Sequence, residues 1–336
     1  MREIFVFVLV ALLGANVVGA TTQAESRPAA PSASLVSPGD DLLGLLPESD
    51  LLATIDLPGI VTDLVPRLEK LGFKGLQPIS AAVKTLTTRL GITPRQIGGG
   101  AIGLSFQSFQ ASGVLLLRIP DLDPAVVDDL LRQYKIEYRS VKYDGVTIIA
   151  LNNAPTLPAL GPLTLSTSEL AYALLGQGMV AIGELSLIRK VIDRRKTPAG
   201  DNINLPLISA LREEPAGQLR FSFTLTSGMR EEALNQGDLF RSIAAVKVTH
   251  GSLRVSPDLA TDLNITLKTS LPGEAVELEQ GLKGLLNLAR VLLANGNQLI
   301  TDILGRARLA VSRSDVSINL ALPSDFIERI VTRRPQ

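Results

Sequence analysis

Apolar residues at Leu51, Ala53 and Ile55 alternate with other positions, the period of a strand with one buried face. In the next stretch Ile60, Leu64, Leu68 and Leu71 recur at helical spacing, with Pro66 predicting a kink or early break. A second helix is expected around Pro78 to Leu90, stopped by Gly91. Strands are expected at Gly98–Gln107 and Gly113–Ile119, joined near Gln110-Ala-Ser. Asp123-Pro124 then marks a helix start, because Asp caps free amides and Pro fits the first turn. That helix runs to about Tyr134. Asp144-Gly145 predicts a tight hairpin, since both residues tolerate positive φ. A Pro-rich link, Asn152 to Pro162, leads into Leu170–Arg195, which reads as strand, Gly-Gln-Gly turn, strand and short helix.

A similar order follows a connecting helix near Leu205–Arg212. Pro215 and the strand Gln218–Thr226 match Pro47 and Asp50–Leu57 in placement. Strands are expected around Ala244–His250, Ser252–Ser256 and Asp262–Ser270, with turns at His250-Gly251 and Pro257-Asp258. A long helical region, Glu274–Leu304, carries Leu278, Leu282, Leu285, Leu286, Ala289, Leu292 and Leu293, and Asn295-Gly296-Asn297 divides it. Ala307–Arg334 repeats the hairpin-and-helix plan, and Ile188–Arg195 laid over Ile327–Arg334 matches apolar to apolar and Arg pair to Arg pair. The expected class is α+β: two related halves, each an antiparallel sheet with helices packed on one face. The expected boundaries are 1–20 (leader), 21–45 (tether), 46–200 (first half) and 201–336 (second half).

The leader has a charged start at Arg2, an apolar run from Ile4 to Leu13, and Val18 and Ala20 before a cleavage point after Ala20. This is the layout of a secretory signal peptide. The apolar run is shorter than the roughly 20 residues of a membrane span, and an uncleaved anchor is the alternative. Thr21–Asp41 is rich in Pro, Ala and Ser without periodicity, the composition of a disordered tether. With no Cys, disulfides and thiolate metal sites are excluded. Export without disulfides points to a bacterial envelope, periplasmic or secreted.

The 336 residues contain 33 basic and 33 acidic side chains, with no long run of either sign. That balance argues against a nucleic-acid partner. Aromatic residues are only 4% and Trp is absent, which weakens the case for base stacking or an aromatic platform. Gly98-Gly-Gly100-Ala-Ile-Gly103 matches G-x-G-x-x-G, but a helix precedes it and a strand follows, the reverse of a dinucleotide loop. A flexible approach to a strand with close backbone packing explains it better. His250 is the one histidine, and its position beside Gly251 predicts an exposed turn. Asp121, Asp123, Asp128 and Asp129 form the densest acidic cluster, read as capping and dipole compensation. Arg194-Arg195 and Arg333-Arg334 are read as solvated helix ends. G-x-S-x-G, S-x-x-K and H-E-x-x-H are all missing from the sequence. No catalytic, cofactor-binding or metal-ligating residue is assigned, and no cofactor is expected.

The signal peptide, the opening LPESDLLATIDL, the hairpin-helix ALLGQGMVAIGELSLIRKVI and the late long-helix, hairpin and helix series resemble a family of exported bacterial proteins with a duplicated α+β domain of unknown function. The resemblance spans most of residues 46 to 334 and implies a noncatalytic envelope protein. The expected function is therefore binding or scaffolding, with an envelope protein or a hydrophobic small molecule as partner. A periplasmic carrier of a hydrophobic ligand such as a lipid is the alternative, with the helices of residues 274–304 roofing a pocket.

Overall fold

In the computed structural model, the structure describes residues 39–71, 84, 87–89, 91–107, 110–120, 122–133, 135–152, 164–165, 169–196, 204–235, 237–293 and 298–326. The leader, most of the tether and Arg333-Arg334 lie outside them. The described chain opens on a 3-10 helix, Asp40–Leu45, followed by β1 (Leu51–Ile55). Helix α1 follows in three contiguous pieces, Leu57–Gly59, π-helical Ile60–Leu64 and Val65–Lys70, so the ladder is irregular just ahead of Pro66. Next come β2 (Gly100–Gln107), β3 (Gln110–Arg118), α2 (Pro124–Gln133), β4 (Tyr138–Tyr143) and β5 (Val146–Leu151). The first run ends with β6 (Thr164–Leu165), β7 (Leu170–Gly176), β8 (Met179–Glu184) and α3 (Leu185–Lys196).

Helix α4 (Leu205–Glu213) connects to β9 (Leu219–Phe223), α5 (Ser227–Asn235), α6 (Asp238–Ala244), β10 (Val248–Val255) and β11 (Thr261–Lys268). The described chain closes with α7 (Pro272–Leu293), α8 (Gln298–Arg306), β12 (Arg308–Ser312) and β13 (Asp315–Leu322).

Local chemistry accounts for the turns. Asp144 and Gly145 take φ of 52° and 79°, the left-handed pair of a two-residue hairpin, and Gly176, Gln177 and Gly178 take 83°, 52° and 69°. Asp123 accepts from the Ala125 amide at 2.8 Å and starts α2.

Among the described residues the thirteen strands form one sheet rather than two separate ones. Its order is β12-β13-β11-β10-β9-β1-β2-β3-β8-β7-β5-β4, with β6 added beside β3. Starting from the β1–β9 pair at the centre, one side reads β1-β2-β3-β8-β7 and the other β9-β10-β11-β13-β12. The central pair is antiparallel, with Ala53 opposite Phe221, Leu51 opposite Phe223 and Ile55 opposite Leu219. The same capping contact recurs on both sides. Asp50, just before β1, accepts from the Phe106 amide of β2 at 2.8 Å, and Gln218, just before β9, accepts from the Val255 amide of β10 at 2.7 Å.

Helices cover both faces of this one sheet. Strand alternation separates the two faces. On the near face, Leu52, Ala101, Leu116, Ile148, Ala173 and Ala181 pack against the 3-10 helix, α3 and α4. On the far face, Leu263, Ile265, Val316 and Ile318 pack against α7 and α8, and Leu64 and Leu68 of α1 join them. Phe326, beyond β13, is fully buried in that far-face core, whereas α3 lies on the near face. The closing segments after the two hairpins therefore begin on opposite faces. The matched stretch Ile327–Arg334 lies outside the described residues.

Candidate functional site

Two features of the sheet stand apart from ordinary core. The first is a polar seam under α4. That helix presses Leu207, Ile208, Ala210 and Leu211 onto the near face. The strand positions beneath it are polar because Arg220, Ser222, His250 and Ser252 alternate onto that face. Each lies at 3% exposure or less, so each needs a partner.

The partners come from α4 and the 3-10 helix. His250 Nδ1 lies 2.8 Å from Glu214 Oε1, and Ser252 Oγ donates to Glu214 Oε2 at 2.7 Å. Ser222 Oγ donates to the Leu207 carbonyl at 2.8 Å. The Arg220 guanidinium pairs with the Asp40 carboxylate, and its Nε donates to Thr54 Oγ1 at 3.2 Å. Asn204, just before α4, donates to the carbonyls of Leu46 and Pro47 at 3.2 and 2.8 Å and accepts from the Ser49 amide at 3.2 Å. Beyond His250, Glu213 accepts from Lys268 Nζ at 2.6 and 2.7 Å. Among the described residues buried His250 Nε2 has no hydrogen-bond partner, with Glu213 Oε2 at 3.9 Å.

This corrects the sequence expectation for His250. The residue sits within β10, at 3% exposure, not at an exposed turn. Gly251 is small because the space is taken: a Cβ there would meet the Asn264 carbonyl oxygen at 2.4 Å and the Phe221 ring at 2.7 Å. The Gly is a close-packing residue, and the two short strands expected around it are one. Ser252, Glu214 and His250 contain the residue types of a hydrolytic triad in the wrong order. The carboxylate sits between hydroxyl and imidazole, so the imidazole is not placed to take the serine proton.

The glycine string is likewise accounted for by packing. Gly100 and Gly103 lie inside β2, and Cβ atoms there would meet Leu117 Cδ2 at 2.9 Å and Ser49 Oγ at 2.6 Å. Of the acidic cluster, Asp123 caps α2 and Asp128 lies near Tyr172, while Asp121 is outside the described residues. Arg194 and Arg195 occupy the last turn of α3. Among the described residues no three His, Asp or Glu side chains gather as a metal site, and no helix is long and apolar enough to cross a membrane.

The second feature is a transverse row on the far face. In-register pairing carries it from Ile149 through Tyr172, Ile182, Leu115 and Ile102 to Ala53. It continues through Phe221, Gly251, Ile265 and Ile318 to Leu309. On the second side Ile265 and Ile318 are 6% and 5% exposed beneath α7 and α8. On the first side Ile102, Leu115, Ile182 and Tyr172 are all only half-buried. The Tyr172 hydroxyl is pushed up to about 12 by burial, then by the nearby Asp128 charge and Tyr138, so it is a neutral donor at physiological pH.

Sequence reading passed over Arg220, Glu214, Ser252, Asn204 and Asp40. One signal was present: QLRFSF places Arg220 and Ser222 alternately with Leu219, Phe221 and Phe223 in a strand that proves central. The half-covered row had no comparable signal, because its residues read as ordinary core.

No family model and no curated protein matches the chain. Among solved structures it is similar to TP0453 in three crystal forms. Form III aligns with a TM-score of 0.45 at 10% identity, covering 90% of this chain and 100% of that one. Form IV aligns at 0.43 and 10%, covering 87% and 96%. Form I aligns at 0.42 and 9%, covering 86% and 95%.

Proposed function

We propose that this is an exported, noncatalytic protein of the bacterial envelope with a binding or scaffolding role. The observation that carries it is the seam: His250, Glu214, Ser252 and Arg220 hold α4 and the 3-10 helix against the sheet. All four side chains are buried, at 8% exposure or less. Native mass spectrometry of the full chain purified from an envelope fraction tests this, with a stoichiometric partner or ligand as the expected result. A hydrolytic activity abolished by His250→Ala in a variant that still folds would overturn it. N-terminal sequencing of the mature protein is expected to begin at Thr21; a start at Met1 would favour the uncleaved anchor.

A second reading, a carrier of a hydrophobic ligand, is favoured by the half-buried aliphatic row on the far face of β2, β3, β8 and β7. Leu278, Leu282 and Leu285 of α7, in the helical region expected to roof a pocket, are buried at 0%, 8% and 7% in the far-face core.

We also propose that the strand runs β1-β2-β3-β8-β7 and β9-β10-β11-β13-β12 are copies of one unit. The supporting observations are their matching order, the Asp50 and Gln218 caps, and the pairing of Ala53 with Phe221. An experimental structure in which these strands fail to superpose would remove that proposal.

A further inference from the structure

We propose that His250 stands as an imidazolium between Glu214 and Glu213, and that its proton latches the C-terminal end of α4 onto the sheet. The two ends of α4 are held by different chemistry. At the start, Asn204 bonds the Leu46 and Pro47 carbonyls and the Ser49 amide, neutral groups that a change of pH leaves alone. At the finish, Glu213 is the last residue of the helix and Glu214 the next one on. Glu214 is 8% exposed, and its carboxylate meets His250 Nδ1 at 2.8 Å and Ser252 Oγ at 2.7 Å. Of these two partners, His250 alone can carry a positive charge.

The geometry around the ring selects its charge state. A neutral imidazole has one N–H. If Nδ1 holds it, the Nε2 lone pair faces the Glu213 carboxylate at 3.9 Å and has no donor among the described residues. If Nε2 holds it, two bare acceptors, Nδ1 and Glu214 Oε1, meet at 2.8 Å. The doubly protonated ring donates to Glu214 and turns its second N–H toward Glu213. The surrounding charges favour the same form. Lys268 of β11 bonds Glu213 and supplies one cation for the two carboxylates, and the ring supplies the other. Asp315 of β13, in register with Lys268, adds negative charge on this face. Arg220 is paired with Asp40, Arg254 of β10 stands opposite Asp262 of β11, and Arg212 is exposed. The ring also lies at the negative end of the α4 dipole, where a cation is favoured.

Loss of the proton leaves the buried Glu214 carboxylate against a lone pair, so the closed end holds the proton more tightly than an end lifted into water. The latch is therefore complete while the ring is charged and weakens as pH rises through the ring's titration. Asn204 keeps the start of the helix in place as the hinge, and lifting of the other end uncovers His250 and Ser252.

The full chain has one histidine, so 15N NMR reads its ring nitrogens without overlap. Hydrogen exchange of the peptide spanning residues 205–216, corrected for the intrinsic rate at each pH, reads the opening of α4. Opening is expected to rise at least tenfold across the pH range in which the ring is seen to lose its proton, and to stay flat over that range in His250→Gln. Because His250→Gln risks misfolding, Glu213→Gln provides a second arm at an exposed carboxylate: ring titration and helix opening should move to lower pH together. A ring carrying a single proton while the peptide is still protected would overturn the proposal. So would opening that ignores the ring's titration in the wild type, or a Glu213→Gln variant in which the ring titration moves and the opening does not.

Discussion

Ile182 and Ile265 lie in one transverse row of one sheet, on opposite sides of the Ala53–Phe221 pair, yet only Ile265 is buried. The strands around them carry the reason. In β13 large apolar residues alternate with polar or small ones, so Val316, Ile318 and Leu320 are buried on the far face while Asn319 and Ala321 are exposed on the near one. In β3 and β8 the residues are apolar on both faces: Leu116 and Ala181 are fully buried on the near face, and Leu115 and Ile182 half-buried on the far one. The second side thus has one apolar face with a long helix, α7, to match it. The first has two apolar faces: α3 and α4 with the 3-10 helix close the near one, and among the described residues the far one meets the smaller cluster of Ile97, Ile119 and Val180. An identical strand register makes a core or a partly open surface according to which helix lies over it.

The sharpest way to break this comparison is to ask whether the two sides are separable at all. Arg220 of β9 pairs with Asp40 of the 3-10 helix and reaches Thr54 of β1, so it ties the two sides through buried charge. Arg220→Ala leaves the Asp40 carboxylate without its guanidinium, a loss of about 3–5 kcal/mol for a buried pair. Urea denaturation followed by circular dichroism is expected to show one transition at a lower midpoint. Two transitions would mean that the sides fold independently and that their shared sheet is only a contact.

A paired truncation sharpens the same point at smaller cost. Ile265→Ala removes side-chain volume from a closed core and should lose about 3 kcal/mol. Leu115→Ala, in the same row but half-covered, should lose about 1 kcal/mol, since less apolar area leaves contact. Equal losses in urea melts would show that the first side is as tightly covered as the second. Gly251→Ala probes the one row position with no side chain. A Cβ at 2.4 Å from the Asn264 carbonyl oxygen forces the β10–β11 pair apart, for a loss of about 2 kcal/mol by overpacking. A neutral result would mean that the ladder yields there.

Much of this was legible in the sequence. The alternation in β1 and β13, the hairpin at Asp144-Gly145, the Asp123-Pro124 start and the two-helix division of residues 274–304 follow from local rules that act within a few residues. The α+β class follows as well. What local rules did not carry was cross-strand information. His250-Gly251 looks like a turn because Gly permits one; it is a mid-strand pair because Phe221 and Asn264, distant in sequence, leave no room for a side chain at residue 251. Arg220, Asp40, Glu214 and Asn204 are unremarkable singly and become a seam only when β1 and β9 join the two strand runs into one sheet. The half-covered row is invisible for the same reason, since its meaning depends on the length of a helix on the other side.

The smallest expected effect reads the row directly. Burial, Asp128 and Tyr138 hold the Tyr172 phenol near 12, above its ordinary 10, so the folded protein keeps a proton there that the unfolded chain has begun to release. Stability from this group is therefore complete below pH 10 and is lost as pH rises from 10 through about 12. For a half-exposed side chain, solvent screening keeps the loss below about 1 kcal/mol. The urea midpoint should fall between pH 9 and pH 11.5, and Tyr172→Phe, which has no proton to lose, should fall less. If the wild type and Tyr172→Phe decline in parallel, the phenol is as wet as it is in the unfolded chain. The half-covered side would then be an open surface, with too little burial around Tyr172 to enclose a hydrophobic ligand.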